Sequence, residues 1–160
     1  RAKSAYYVAV VTNAYRKAID DYFDNPSDDY VPQQWVIDEM KKISYRDYCT
    51  GFFYGDVADD ANISYKGGYN REWDVMAVVE KWEDGVAYCS QRNRFFEGDE
   101  LEIMIKGVEP IKVKVQNLKN ADGELIENAP HPMMALSFDC PVEVPKGAYL
   151  RMQRKGGVIL

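Results

Sequence analysis

From Ser4 to Phe23 apolar side chains return every three or four positions, at Val8, Val11, Tyr15, Ala18, Ile19 and Tyr22. That period predicts an amphipathic α-helix with Arg16, Lys17, Asp20 and Asp21 off the stripe. Ser4 has the side chain of an N-cap, and Asn25-Pro26 ends the run, because the residue before a proline is pushed out of helical geometry. A second, shorter helix is predicted from Pro32 to Ile43. Proline suits a first helical position, Trp35, Val36, Ile37 and Met40 supply the apolar side, and Lys41 and Lys42 complement the dipole at the far end.

The period is lost between residues 44 and 72. A stretch of this length without helix or strand signal is uncommon inside a compact domain. Its aromatics (Tyr45, Tyr48, Phe52, Phe53 and Tyr54) are therefore expected to pack on something outside the segment. From Trp73 the pattern turns to strands. Trp73 to Trp82 is apolar and β-branched, Glu83-Asp84-Gly85 is a hairpin signal, and Val86 to Gln91 is its return. Glu100 to Ile105 and Ile111 to Val115 alternate polar with apolar. Glu124 to Glu127, Met133 to Phe138 and Ala148 to Met152 complete the set. The fold class expected is α+β: N-terminal helices followed by a small antiparallel β-barrel of about six strands, since closure removes exposed edges. The change of pattern falls near Tyr69–Trp73 and divides the chain into 1–72 and 73–160.

Composition leaves this picture intact and narrows the chemistry. With 46% hydrophobic and 29% charged residues the chain is globular in character. The formal net charge is −6, with no asymmetry across Trp73: residues 1–73 carry 9 basic and 12 acidic groups, residues 74–160 carry 11 and 14. Neither part has the overall basic excess of a free-standing nucleic-acid binder, so any such role needs a local basic patch. Cys49, Cys89 and Cys140 are odd in number and widely spaced, which argues against a disulfide framework. With His131 the only histidine, a four-ligand zinc site within this chain is not expected, and neither is a metal or cofactor of its own. No apolar run approaches a membrane span, no signal peptide is expected, and reduced thiols fit the expectation of a cytoplasmic protein. The first residue is not methionine, so the chain reads as cut from a longer protein.

No nucleophile–base pair, phosphate-binding glycine loop or zinc-protease motif is present. His131 lies between two prolines and reads as a structural loop residue, and Asp20-Asp21, Asp28-Asp29 and Asp59-Asp60 read as solvated faces. The most suggestive polar cluster is Arg92-Asn93-Arg94-Phe95-Phe96. Two guanidiniums beside aromatic rings can hold phosphates and stack on bases, with Arg92, Arg94 and Phe95 in those roles. The plain alternative is a hairpin end whose arginines pair with Glu97, Asp99 or Glu100. Arg1 and Lys3, beside Ser4 at a helix start, form an anion-friendly corner or else a frayed end.

Four blocks, in matching order over nearly the whole chain, resemble peptidase family U32, the collagenase-like peptidases. They are Arg1 to Val11 with Tyr15-Arg16 and Ala18 to Asp20; Tyr48-Cys-Thr-Gly-Phe-Phe-Tyr-Gly55; Arg92-Asn-Arg-Phe-Phe-Glu-Gly-Asp99 with Leu101-Glu102; and Asp122-Gly123 with Ala129-Pro-His-Pro132. The resemblance implies a TIM-like catalytic barrel followed by a small β-barrel. The first helix would then be the last helix of the catalytic barrel, and Arg1 the arginine of a Glu-Gly-Arg element at the end of its last strand. It also implies either peptidase activity or hydroxylation of transfer or ribosomal RNA, in some members with an iron–sulfur cluster whose cysteines belong mainly to the catalytic barrel. The expectation is an accessory C-terminal region of a U32-type peptidase. It is not catalytic alone, docks on the missing catalytic barrel of the same chain, and contacts substrate through Arg1, Lys3, Arg92, Arg94 and Phe95. The alternatives are an RNA-binding accessory domain of a hydroxylation protein, and a protein-interaction module.

Overall fold

The computed structural model describes residues 3–56 and 68–154. Helix α1 spans Ala5–Asp24, and the Ser4 side chain accepts from the Tyr7 backbone N–H, the cap its sequence predicts. Helix α2 covers only Gln34–Glu39, shorter than expected at both ends. Beyond it the backbone tightens: Lys41 N–H donates to Asp38 and Lys42 N–H to Glu39, three residues back rather than four. This tight turn carries Lys42 back over the barrel.

Seven antiparallel strands follow: β1 Trp73–Glu83, β2 Val86–Gln91, β3 Glu100–Met104, β4 Ile111–Lys114, β5 Lys119–Asn120, β6 Ala135–Asp139 and β7 Tyr149–Gln153. Their order is β4-β3-β7-β1-β2-β6-β5. The Asp84-Gly85 turn has φ of 48° and 81°, the doubly left-handed turn that Asp-Gly favours in a two-residue hairpin. The predicted strand over Glu124 to Glu127 is reduced to a bridge between Leu125 and Lys119, and the pairing strand β5 precedes the Ala121–Gly123 turn instead.

β4 and β5 are opposite edges of the sheet, yet only Val115–Leu118 separates them in the chain. Laid flat, seven strands about 4.8 Å apart would hold the edges roughly 29 Å from each other. The connection, five Cα steps of about 3.8 Å, reaches about 19 Å at most. The sheet must therefore curl, and it does so as a half-barrel. Gly98 N–H donates to Val115 and Asp139 N–H to Gln116, which fastens the connection to both sides. β1 spans the curl with register shifts between Val75 and Ala77 and between Val79 and Lys81, bulges that let a long strand bend.

The barrel core is built from residues of these strands, among them Val79, Leu101, Ile103, Phe138 and Leu150, with Phe95 added from the connection between β2 and β3. A second, smaller core joins α1 to the barrel through Val10, Ile43 and Met104, with Tyr6 edge-on to Tyr149 at 5.3 Å. Asn13, buried under α1, accepts from Gly107 N–H in the turn after β3. The helix thus faces the barrel with Tyr6, Val10 and Asn13. The stripe read from the sequence faces outward at Val8, Tyr15 and Ile19, which are 54%, 62% and 44% exposed. Val11 of the same stripe packs on the second core, and the periodicity did not pick out the inner face at Tyr6 and Val10.

Tyr45 and Tyr48 of the aperiodic segment stack on one another, and Tyr48 donates to the Met40 carbonyl, so these two pack within the chain. Phe52, Phe53 and Tyr54 stay 75–82% exposed. Of the thiols, Cys49 is exposed while Cys89 and Cys140 are buried, and burial pushes both buried thiols above their ordinary pKa. A thiol reagent such as Ellman's should modify Cys49 rapidly in the native protein and reach the other two only on unfolding. Fast titration of all three in native buffer would contradict the described core.

Candidate anion-binding cleft at the helix–barrel seam

A cleft of about 750 Å³ opens where the N-terminal end of α1 meets the barrel. Five separate pieces of chain supply it, one of them Ile43 and Ser44 after α2. Lys3 and Ser4 come from the entry to α1, Arg71 and Trp73 from the entry to β1, Arg92 and Asn93 from the exit of β2, and Tyr149 from β7. The exit of β2 is folded back on β1: Arg92 and Asn93 both donate their backbone N–H to the Met76 carbonyl, and the Asn93 side chain donates to Val75. This fixes the base of the Arg92 side chain.

The charged residues lining the cleft are Lys3, Arg71 and Arg92, and no carboxylate is among the described lining. Arg71 pairs with Asp74 at 2.9 Å, an exposed contact that neutralises part of its charge. Arg92 donates only to neutral acceptors, the Ser90 hydroxyl and the Ser90 and Gln91 carbonyls. Lys3 lies over the rings of Tyr7 and Tyr69, at 4.9 and 4.3 Å from their centroids. Among the described residues neither Arg92 nor Lys3 is in a salt bridge, so the cleft holds positive charge beside low-dielectric walls, which concentrates the field. The charge of such a site is of the sign that suits phosphate or carboxylate groups, and its aromatic walls are of the kind that suits a planar ring.

Beneath the seam lies a buried ionic network that sequence reasoning did not find. Arg151 of β7 is fully buried and donates to Glu39 of α2 (2.9 Å), to Glu102 of β3 (3.1 Å) and to the Tyr6 hydroxyl of α1 (3.2 Å). Lys42 reaches the same Glu102 at 2.8 Å and Glu39 at 3.2 Å. Arg151 and Lys42 also lie over the Trp73 ring, the wall of the cleft. Burial raises the Tyr6 phenol above its ordinary pKa, partly offset by Arg151, so it stays protonated and donates to the Lys42 carbonyl. For Arg151 burial alone would lower the pKa, but its bonds to Glu39 outweigh that and hold it charged. A lone arginine within a strand gives no sign of such partners, because they lie on three other elements.

The residues singled out from sequence divide. Lys3 and Arg92 come together in one cleft. Arg1 lies outside the described residues. Arg94 is exposed but is not part of the cleft lining. Phe95 is 0% exposed and packs the barrel core, so it offers no face to a substrate; the surface ring beside it is Phe96, 47% exposed. The alternative in which the arginines pair with Glu97, Asp99 or Glu100 is not what fixes Arg92, which bonds Ser90 and Gln91: Glu97 accepts from the backbone of Asn117 and Leu118, Asp99 accepts from Phe96 N–H, and Glu100 pairs with Lys112. His131 is exposed in the turn before β6, away from the cleft. Among the described residues no three of His, Cys, Asp and Glu converge as metal ligands, and Cys89 and Cys140 sit inside the barrel core. The donors described here do not fit an iron–sulfur cluster. No helix among them is long and apolar enough to cross a membrane.

Residues 71–151 match the family model described as the peptidase family U32 C-terminal domain, and residues 1–62 match that of peptidase family U32. Over 158 residues the chain is 28% identical to tRNA hydroxylation protein P1 of Bacillus subtilis, covering 98% of this chain and 36% of that protein. It is likewise 28% identical over 160 residues to tRNA hydroxylation protein P of Escherichia coli, covering 98% and 34%. The chain thus spans about a third of the length of these relatives. A crystal structure of the C-terminal domain of a U32-family protein from Geobacillus thermoleovorans aligns with 49% of this chain and 99% of its own, with a TM-score of 0.47 and 23% identity.

Proposed function

The chain belongs to peptidase family U32, and from that footing we propose that it is the substrate-holding accessory region of a cytoplasmic tRNA hydroxylation protein. The reaction itself is assigned to a catalytic barrel elsewhere in the same protein. The observation that carries this reading is the seam cleft: Lys3 and Arg92, from opposite parts of the chain, line one pocket without a carboxylate, in a molecule of net charge −6. The cleft's cations suit the phosphates of an RNA, and the aromatic walls suit its bases. The two relatives aligned over almost the full length carry tRNA hydroxylation in their names, which supports RNA over peptide. The outward face of α1, at Val8, Tyr15 and Ile19, together with Phe52, Phe53 and Tyr54, is where the catalytic barrel would rest.

Filter binding of bulk tRNA to the full chain tests this. The Lys3→Ala/Arg92→Ala variant should bind about tenfold more weakly at low salt, and the slope of log affinity against log salt should fall by about 1 to 2, since each lost phosphate contact removes somewhat under one unit. Unchanged affinity and slope would remove the cleft from the function, and cleavage of gelatin or casein by the purified chain would restore the peptidase reading.

A further inference from the structure

Further along α1, a second cleft of about 490 Å³ opens against the barrel. Its charged lining residues are Arg16, Lys106 and Lys146, again with no carboxylate among the described lining. Ala5 lines the first cleft and Ala9, Thr12 and Arg16 line the second. Positions 5, 9, 12 and 16 are spaced by four, three and four, so they form one stripe along one side of the helix. Tyr149 lines both clefts. The two openings therefore succeed each other along α1 and meet at Tyr149.

The geometry points to a single basic groove along α1, running from Lys3 and Arg92 past Tyr149 to Lys106 and Lys146, that takes an extended single-stranded RNA segment. The assignment rests on the RNA reading above and adds the form of RNA and its path. From Ala5 to Arg16 the helix rises roughly 16 Å, enough for about four extended nucleotides, the low end of what a small barrel covers. Six charged residues line the two clefts and all are cationic, although the chain has 26 acidic against 20 basic residues. Two of the three cations in the second cleft are already engaged in part: Arg16 bonds Asp20, and Lys146 lies 3.6 Å from Glu80, both exposed pairs that contribute little and can be exchanged for a phosphate. A duplex cannot lie in such clefts, because its phosphates line the outside of a body wider than either. An unpaired strand can, with its backbone on the cations and a base against the half-buried ring of Tyr149.

The experiment measures fluorescence anisotropy of labelled unstructured RNA oligonucleotides of two, four and eight residues, and of a blunt RNA duplex, with the full chain and two double variants. Lys106→Ala/Lys146→Ala should weaken the eight-residue strand about three- to tenfold and lower its salt slope by about 1, as phosphate contacts do. The two-residue strand, held in the first cleft alone, should be affected far less, and the duplex should bind more weakly than the strand. If Lys3→Ala/Arg92→Ala weakens RNA while Lys106→Ala/Lys146→Ala leaves every length unchanged, the groove is wrong and the first cleft stands. If neither variant alters RNA binding, both fall. Equal competition by polyglutamate at matched charge would assign the groove to acidic peptide and overturn the RNA assignment. Both lysines are exposed, so loss of folding does not confound the second variant.

Discussion

Arg151→Ala should destabilise the chain by about 3–5 kcal/mol, the usual consequence of removing one partner from a buried ion pair. The alanine leaves Glu39, itself 1% exposed, without its bidentate partner, and leaves the Tyr6 hydroxyl without a donor. For a chain of this size the loss lowers the melting temperature by roughly 6–20 °C. Lys42 remains within 3.2 Å of Glu39 and moderates the loss without abolishing it, because one ammonium cannot reproduce the planar guanidinium fork. Arg154→Ala is the control. Its pair with Asp74 is similar in geometry, with Nε 2.7 Å from the carboxylate, but the side chains are 22% and 17% exposed, so it should cost about 1 kcal/mol or less. Equal effects of the two substitutions in urea denaturation would mean that burial of Arg151 counts for nothing. The network spans α1, α2, β3 and β7, and Arg151 also lies over Trp73. Loss of Arg151 should therefore loosen the cleft along with the fold.

The strands were legible because a curled sheet with one buried face imposes a period of two, and because Asp84-Gly85 states its turn type outright. The capped start of α1 was equally plain. The face of α1 that meets the barrel was not. Val8, Tyr15 and Ile19 repeat as well as Tyr6, Val10 and Asn13, and a helical period says which residues share a face but not what covers it. The end of α2 was misplaced for a related reason: the apolar spacing continues to Ile43, but the backbone after Glu39 is turned by three-residue bonds that bring Lys42 to Glu102. Half of the candidate site was visible. Lys3 and Arg92 were recognised as cations next to a helix start and a strand end, while their meeting depends on tertiary contacts no local pattern encodes. Arg71, Lys106 and Lys146 carry no local pattern that sets them apart from other charges in the sequence. Arg151 looked like a strand residue, and its three partners come from positions 6, 39 and 102.

Phe95→Ala is expected to cost about 3–5 kcal/mol in stability, the range for emptying a buried phenylalanine site. Phe95 and Phe96 are adjacent, so in extended chain they point opposite ways, and only one of them can face the barrel interior. The interior residue is Phe95, at 0% exposure in the same core as Leu101, Leu118 and Phe138, while its carbonyl accepts from Ala129 N–H and ties the β2–β3 connection to the segment before β6. The conservative Phe95→Leu keeps most of the volume and should cost about 1–2 kcal/mol with RNA affinity unchanged. That pair of results separates packing from recognition. A stacking residue would lose binding on replacement by leucine and lose little stability on replacement by alanine, whereas a core residue does the reverse. Thermal melts and anisotropy on the same two variants decide it. Wild-type stability of Phe95→Ala would place the ring outside the core, and would return Phe95 to the list of groups that meet the substrate.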